Sequence, residues 1–342
     1  MSNFSNLNHY ILPADLLIKM NDVYIQIGKN DEYIKQLNKS NYLIENTYND
    51  DAKALCALMK LNITPSRQVI LLDKDGVARN KEEEALKNIK TVLKEINIDA
   101  SRYPLNPAQL IEYINLIYGK QRTNYSKNLT KKDAHKTTRA LINEIFDEYD
   151  LYQSGKKYEQ IILIMILYLE VINLEPFTSD NELAGGLLLY YLFARNNLKV
   201  FKYQSFFKLL NERYSEFKML VRNASVSYAD GFVQCSDVAK MIYELILKAY
   251  EDLALITKQT QYQQQGLKSD NVAQTIYRLP NVFTKDDIRK LNPNVSDATI
   301  NRILIKMRDE ELIMPLGTGR SAKWMKNQEQ IDQVDLSKVL GE

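Results

Sequence analysis

Cysteine and histidine are scarce in this sequence, and their scarcity excludes several kinds of site. There are two of each among 342 residues. Cys56 and Cys235 are too few and too far apart for a disulfide framework or a cysteine-rich zinc site, which fits a reducing cytoplasm. His9 and His135 leave few ways to build a histidine metal site or a histidine-dependent active site. The sequence therefore predicts no metal and no bound cofactor.

The chain also lacks an excess of one charge sign and an abundance of turn-forming residues. It has 45 Lys and Arg against 43 Asp and Glu, a net charge of +2, which excludes a polybasic protein that coats nucleic acid. Glycine (11) and proline (8) are rare while tyrosine (22) is frequent. This balance favours long helices over an all-β chain. We expect a mainly α protein with two domains.

No hydrophobic run is long enough to span a bilayer. The most apolar segment, residues 161–169, has nine residues, whereas a membrane helix needs about 20. Such a segment is typical of a central helix that is buried on every side. Residues 1–9 have neither a basic start nor an apolar core, so they predict no signal peptide. We expect no membrane contact and a cytoplasmic protein.

Apolar residues recur at helical spacing through most of the first 257 residues, which we take as one helical domain. Within it, residues 68–72 are β-prone and precede an expected turn at 73–76, and residues 201–221 predict one helix. Residues 258–268 are rich in glutamine and indicate a linker or the end of a long polar helix. A compact module follows at 269–326, and residues 327–342 form a tail.

The module at 269–326 has a specific order of elements. A helix ends near residue 278. Thr284 is a predicted cap for a second helix, with Asp287 returning the hydrogen bond, and Ser296 is a predicted cap for a third helix that ends near residue 311. Ala298 is expected on the inner face of that third helix. Two short strands then flank the glycine-rich tip at 317–320. This order resembles a winged helix-turn-helix.

The resemblance to a winged helix implies DNA contact. In that family the third helix enters the major groove and the wing touches the backbone. The predicted contact residues are Ser296, Thr299, Asn301, Arg302, Lys306, Arg320 and Lys323. The module has ten basic and seven acidic residues, a weakly basic balance for a DNA-binding protein. Protein contact or dimerisation through this module is the alternative.

Residues 175–186, Glu-Pro-Phe-Thr-Ser-Asp-Asn-Glu-Leu-Ala-Gly-Gly, lie between two buried helical segments. This stretch resembles the signature loop of the Fic family, H-P-F-x-[DE]-G-N-G-R-x-x-R. Pro176, Phe177 and Asn181 match the pattern. The resemblance implies a helical Fic-like domain over roughly residues 10–250. Fic enzymes transfer AMP, or a related phosphate-containing group, to a hydroxyl of a target protein.

The chain departs from the Fic pattern at the positions that carry the chemistry. Glu175 replaces the catalytic histidine, Ser179 the metal-binding acid, Asp180 and Glu182 the two glycines, and Leu183 and Gly186 the two arginines. Independently of the family, residues 170–194 contain no Lys or Arg, and these carboxylates would repel a triphosphate. We therefore expect a degenerate motif without catalytic residues and without bound nucleotide.

An upstream segment, residues 40–47, is similar to the inhibitory motif of the family, [ST]-x-x-x-E-[GN], with Asn41 in place of Ser or Thr. Glu45 and Asn46 match its last two positions. In the family that glutamate engages the last arginine of the signature loop. Gly186 stands at the arginine's position here, so Glu45 is expected to have only a structural role near a helix end.

Other interpretations of these segments stay open on the sequence alone. The loop at 175–182 is also typical of an ordinary helix start with Ser179 or Asp180 as cap, and Glu175, Asp180 and Glu182 would form a cation site if they converged. The basic loop at 119–132 is either solvated, a nucleic-acid patch, or the flap that docks target peptides in Fic proteins.

The function predicted from these features is binding and regulation. We expect a catalytically degenerate Fic-like protein that binds DNA through its winged helix, with a possible protein partner. The alternatives are an AMP-transferring enzyme with an altered active site and a protein-interaction scaffold.

Overall fold

The computed structural model of the protein describes residues 3–4, 7, 11–37, 41–100, 102, 105–127, 136–196, 198–264, 268–293, 295–317 and 322–327. The chain divides into two compact units, Met1–Ala254 and Leu255–Glu342. His9, His135 and Arg320 lie outside the described residues. No helix in the described part of the chain is long and apolar enough to cross a membrane.

The larger unit is helical. Its helices are α1 (Ala14–Leu37), α2 (Asn41–Leu58), α3 (Pro65–Asp73), α4 (Lys81–Asp99), α5 (Pro107–Tyr118), α6 (Thr138–Ser154), α7 (Gln160–Leu174), α8 (Asn181–Arg195), α9 (Phe206–Glu212) and α10 (Tyr214–Ala224). A further helix, α11 (Ser236–Gln264), begins in this unit and continues past its last residue. A short 3₁₀ helix, Lys199–Lys202, precedes α9.

The centre of this unit is α7, which is buried along almost its whole length. Every residue from Ile161 to Val171 is buried, because α6 and α8 pack against it. Glu159 caps the helix by accepting a hydrogen bond from the Ile162 N–H at 2.8 Å. The prediction of a central helix buried on every side is confirmed, and burial of its apolar side chains is the main contribution to the core.

Two predictions within the larger unit are wrong. Residues 68–72 are not extended: they belong to α3, because Pro65 starts a helix there and Leu71 and Leu72 turn one face inward. Residues 201–221 are not one helix either. Ser205 starts a new helix by accepting a hydrogen bond from the Lys208 N–H at 3.1 Å, so the segment divides into the 3₁₀ helix, α9 and α10.

The glutamine-rich segment continues the preceding helix. Helix α11 ends at Gln264, and the next helix begins at Lys268. The sequence left open whether residues 258–268 form a linker or the end of a long helix. Residues 258–264 are the end of a long helix.

In its described residues, the smaller unit combines helices with a three-stranded antiparallel sheet. Its elements are α12 (Lys268–Arg278), β1 (Val282–Thr284), α13 (Lys285–Leu291), α14 (Asp297–Asp309), β2 (Ile313–Pro315) and β3 (Lys323–Lys326). The strand order is β1-β3-β2, and Phe283 lies opposite Trp324. Sequence analysis anticipated the helices and the β2–β3 hairpin but not β1, whose three residues are too few for an alternating pattern.

Side-chain caps determine where α13 and α14 of the smaller unit begin. Thr284 and Asp287 form the predicted capping box, with the Thr284 hydroxyl accepting from the Asp287 N–H at 3.2 Å. Ser296 caps α14 by accepting a hydrogen bond from the Thr299 N–H at 3.3 Å. The core is apolar, with Val272, Ile276, Phe283, Ile288, Ile300, Ile303, Leu304 and Met307 buried. Ala298 is exposed rather than inward-facing, because Ile300 begins the buried face of α14.

Candidate functional site

The loop between α7 and α8 turns sharply at both ends. Glu175 ends α7 in the left-handed conformation at φ 47°, and Asp180 precedes α8 in the same region at φ 60°. Glu175 is exposed, whereas Pro176 and Phe177 are buried. Non-glycine residues rarely adopt this conformation, so the surrounding contacts must hold the loop in place.

Asn181 supplies one of those contacts. Its Oδ1 accepts a hydrogen bond from the Phe177 N–H and its Nδ2 donates to the Phe177 carbonyl oxygen, both at 3.0 Å. The side chain thereby satisfies both main-chain polar groups of a buried residue. The asparagine that matches the signature pattern thus has a structural role in this loop.

The segment before α6 pairs with the loop through its backbone. Ser126 N–H donates to the Pro176 carbonyl at 2.8 Å, and Thr178 N–H donates to the Asn124 carbonyl at 2.9 Å. Tyr125 lies opposite Phe177 in an antiparallel bridge. Residues 124–126 belong to the loop considered above as a peptide-docking flap. Their backbone groups are hydrogen-bonded to residues 176–178 of the same chain.

Asp180 is held by side chains from α5 and the loop after it. Tyr118 Oη donates to one carboxylate oxygen, and Arg122 Nε donates to the other, each at 3.0 Å. Ser179 Oγ adds a bond of 2.6 Å. Burial, and then the negative charge of Asp180, raises the pKa of Tyr118 to about 12. Asp180 occupies the N-cap position of α8 but makes no side-chain capping bond there, because its carboxylate faces Arg122 and Tyr118.

The negative charge of Glu182 is compensated by a lysine on α10, on the opposite side of the loop. Lys218 of α10 donates to its carboxylate at 2.6 Å, and Tyr214 Oη donates at 3.3 Å. Burial, and then the charge of Glu182, raises the pKa of Tyr214 to about 12. Sequence analysis found no basic residue at 170–194. The structure supplies the compensating charges from Arg122 and Lys218, 58 and 36 positions away along the chain.

The carboxylates of the loop do not assemble into a cation site. Asp180 and Glu182 pair with basic residues. Among the described residues, no group of three or more His, Cys, Asp or Glu is placed to hold a metal ion. Two basic residues that follow the neighbouring loop are also engaged: Arg139 of α6 lies over the Tyr125 ring at 4.9 Å, and Lys136 pairs with Glu144. Within the loop itself, Lys120 and Lys127 are exposed.

A cavity of about 250 Å³ opens beside the start of α8. Helices α2, α5, α7, α8, α9 and α10 contribute to its wall. The lining residues are Leu55, Leu58, Met59, Tyr118, Tyr168, Ile172, Asp180, Glu182, Leu183, Gly186, Leu189, Phe207, Leu210, Tyr214, Phe217, Lys218 and Val221. Gly186, at the position of the last signature arginine, is part of this wall. A Cβ at this position would lie 3.4 Å from Phe207 Cε1, so the glycine brings α8 close to α9.

Glu45 has its partners on another helix. It lies in the second turn of α2 and forms ion pairs with Lys94 at 2.7 Å and Lys90 at 3.2 Å, both on α4. Although burial opposes it, these hydrogen bonds from Lys94 and Lys90 hold the pKa of Glu45 below its usual value. Asn46 beside it is half-buried. Neither residue lines the cavity.

The predicted DNA-contact residues lie mostly on the exposed face of α14. Asn301, Arg302 and Lys306 are exposed, and Lys323 is exposed on β3. Ser296 and Thr299 are engaged with each other in the helix cap, their hydroxyl oxygens 3.0 Å apart.

The acidic residue at the start of α14 is neutralised from α13. Arg289 donates to both carboxylate oxygens of Asp297, and Lys285 approaches it at 3.7 Å. Further along the helix, Lys306 is 3.8 Å from Glu310. The first turns of α14 therefore present little uncompensated negative charge.

Comparison with known proteins supports the fold. No protein-family model and no curated protein matches the sequence. A solved structure of a Fic family protein from Desulfovibrio desulfuricans G20 is similar over 93% of this chain and 97% of its own, with a TM-score of 0.57 and 13% identity. The protein has a Fic-like fold. A Fic domain containing signaling protein from Bacteroides thetaiotaomicron VPI-5482 is similar over 70% of this chain and 97% of its own, with a TM-score of 0.53 and 16% identity.

Within the Fic-like fold, only some of the residues that match the signature and inhibitory motifs lie together. Pro176, Phe177 and Asn181 form one connected loop, whereas Glu45 contacts α4 instead. The side chains that sequence analysis missed are Arg122, Lys218 and Tyr168. The first two contact their acids across long sequence separations, and the third sits in an apolar run that indicated only core.

Proposed function

We propose that this Fic-like protein is a cytoplasmic DNA-binding regulator that contacts DNA through α14 and does not transfer nucleotides. The observation that carries the proposal is the exposed face of α14. Arg302 and Lys306 are four residues apart and hence on one side of the helix, with Asn301 beside them. Arginine, lysine and asparagine are the side chains that most often read base edges or hold phosphates.

The charge arrangement of α14 favours this use. Among the described residues Arg302 makes no hydrogen bond or ion pair, so its guanidinium is available. Asp297, the acid nearest the helix start, is already paired with Arg289. Ile305 is 48% exposed between the polar residues, where an apolar group suits the methyl group of thymine.

The candidate site in the larger unit supports a role without phosphoryl chemistry. Glu175 stands exposed at the position of the catalytic histidine, and Gly186 provides no cation. Stabilisation of developing charge is usually the largest part of catalysis, and it needs such cations or aligned donors. Asp180 and Glu182 instead place two carboxylates beside the cavity.

The decisive experiment is binding of the full-length protein to its own upstream DNA, titrated against salt. We expect binding that weakens as salt rises. In the Arg302→Ala/Lys306→Ala double variant the affinity should fall, with a salt slope shallower by about two. Arg308→Ala is the control: it removes one positive charge from the same helix, at a side chain that pairs with Asp309, and should change the salt slope less than either Arg302→Ala or Lys306→Ala alone.

Absence of binding at about 50 mM salt, where phosphate contacts are strong, would overturn DNA contact and favour a protein scaffold. The claim that nucleotide is not transferred needs a separate assay. Transfer of label from ATP to any protein, lost in both Glu175→Ala and Asn181→Ala, would instead identify an AMP transferase with an altered site.

A further inference from the structure

The cavity beside α8 is large enough for a small molecule. Its volume is about 250 Å³. For scale, an apolar cavity of about 150 Å³ binds benzene, so this one accommodates roughly two fused rings. Aromatic and aliphatic side chains from six helices form most of its wall, including Tyr168, Phe207, Phe217, Leu189 and Leu210. Such walls, with few polar groups, are typical of small-molecule sites.

The charges at the cavity are compensated before any ligand arrives. Asp180 is paired with Arg122, and Glu182 is paired with Lys218. An anionic ligand would meet the two carboxylates without a free cation to offset them, and a cationic ligand would compete with existing pairs. An uncharged ligand avoids both penalties, because a charge that enters an apolar cavity needs a partner.

Among the described residues that line the cavity, Tyr168 provides a hydroxyl group that a ligand could bind. Its side chain is 6% exposed and lines the cavity, and its ring is tilted by 45° against that of Phe217, with the centroids 5.6 Å apart. Within the described part of the chain its hydroxyl makes no hydrogen bond, whereas the hydroxyls of Tyr118 and Tyr214 are bonded to Asp180 and Glu182. Burial raises the pKa of Tyr168 further above its usual value, so the hydroxyl keeps its proton and can donate it to a ligand in the cavity.

We propose that this cavity binds an uncharged aromatic molecule of about two rings whose single polar group forms a hydrogen bond with the Tyr168 hydroxyl. The ring system would pack against Phe207 and Phe217, with Gly186 of α8 also lining the site. This proposal does not depend on DNA binding by α14.

Naphthalene and 2-naphthol are suitable probes, because they differ only in one hydroxyl. Equilibrium dialysis against the full-length protein should show binding of both. We expect 2-naphthol to bind roughly three- to tenfold more tightly, the range for one neutral hydrogen bond. 6-Hydroxynaphthalene-2-sulfonate, which adds a negative charge, should bind at least tenfold more weakly than 2-naphthol.

Two variants test the location. Tyr168→Phe should abolish the preference for 2-naphthol while leaving naphthalene binding unchanged. Leu58→Trp should fill the cavity and abolish binding of both probes. Its control is Leu151→Trp, which makes the same replacement at a side chain on α6 that is 71% exposed and does not line the cavity.

The proposal is overturned if neither naphthalene nor 2-naphthol binds. It is also overturned if Tyr168→Phe still binds 2-naphthol more tightly than naphthalene. Should Leu58→Trp fail to fold, the comparison of the two probes on Tyr168→Phe still decides the question, since that variant removes one oxygen and retains the ring.

Discussion

The side chain of Asn181 closes a ring with the main chain of Phe177, through two hydrogen bonds of 3.0 Å in opposite directions. Phe177 is 3% exposed, so neither its N–H nor its carbonyl group has ready access to water. A side chain that both donates and accepts is required, and asparagine has the right length. The identity of residue 181 is thus explained by the loop itself, without any ligand.

Replacing Asn181 should therefore destabilise the protein. Asn181→Ala leaves two main-chain groups unpaired, and we expect the free energy of unfolding to fall by about 1–3 kcal/mol. Asn181→Asp keeps the acceptor for the Phe177 N–H but loses the donor, so it should fall in between. Urea denaturation measures both. Equal stability of all three proteins would contradict the assigned role.

The adjacent glycines Gly185 and Gly186 should respond oppositely to the same substitution. A Cβ at Gly185 would lie 2.6 Å from Ile172 Cδ1 and 3.0 Å from Tyr168 Cε2, so Gly185→Ala should cost about 1–3 kcal/mol. A Cβ at Gly186 would meet Phe207 Cε1 at 3.4 Å, an ordinary contact. Gly186→Ala should therefore stabilise α8 by about 0.5–1 kcal/mol. Thermal unfolding of the pair checks both signs, and a shift in the same direction for both would refute the packing argument.

The sequence could predict those parts of the fold that depend on local chemistry. The buried helix α7, the caps at Thr284 and Ser296 and the Fic-like fold are confirmed, because each rests on a periodicity or a motif of neighbouring residues. Residues 68–72 are helical although their side chains favour strands, because β-propensity is weak and Pro65 starts a helix just before them. Strand β1 was missed because pairing with β3 defines it, not its own sequence.

The candidate site was predictable in position but not in its electrostatics. The signature-like residues located the loop. Arg122 and Lys218, which neutralise Asp180 and Glu182, come from other parts of the chain, and no spacing rule connects them. The partners of Glu45 were missed for the same reason, since Lys90 and Lys94 lie on a separate helix.

The ion pairs of Glu45 give a third prediction. Glu45 is 46% exposed in its side chain, so its pairs with Lys90 and Lys94 should each contribute little. We expect Glu45→Ala to lower the free energy of unfolding by no more than about 1 kcal/mol, and the difference should shrink in 1 M salt. It should also produce no transfer of label from ATP. Gain of transfer activity would restore an inhibitory role for Glu45.

A buried carboxyl group at Asp51 provides a pH-sensitive contact between α2 and α9. Its Oδ1 accepts from Ser205 Oγ at 2.6 Å and from the Phe207 N–H at 2.9 Å. Its Oδ2 is buried and makes no hydrogen bond within the described part of the chain, although the Tyr190 hydroxyl lies near the carboxyl group. Burial, reinforced by the charge of Asp50, outweighs the favourable interactions with Ser205, the Phe207 N–H and Tyr190 and raises the pKa of Asp51 from 3.8 to about 8. The folded protein therefore holds a proton at neutral pH that the unfolded chain releases.

Stability should consequently fall as pH rises through this window. The contribution of Asp51 is complete below about pH 4, where both states are protonated, and is lost as pH approaches and passes about 8. Between pH 5 and pH 8 we expect the wild-type protein to lose more than about 1.4 kcal/mol relative to Asp51→Asn, which has no proton to release. Urea denaturation at several pH values measures the difference. Asp22→Asn, which removes an exposed carboxyl group on α1, is the control, and its curve should run parallel to wild type. If Asp51→Asn also runs parallel, the carboxyl group is already ionised in the folded protein and the assigned pKa is wrong.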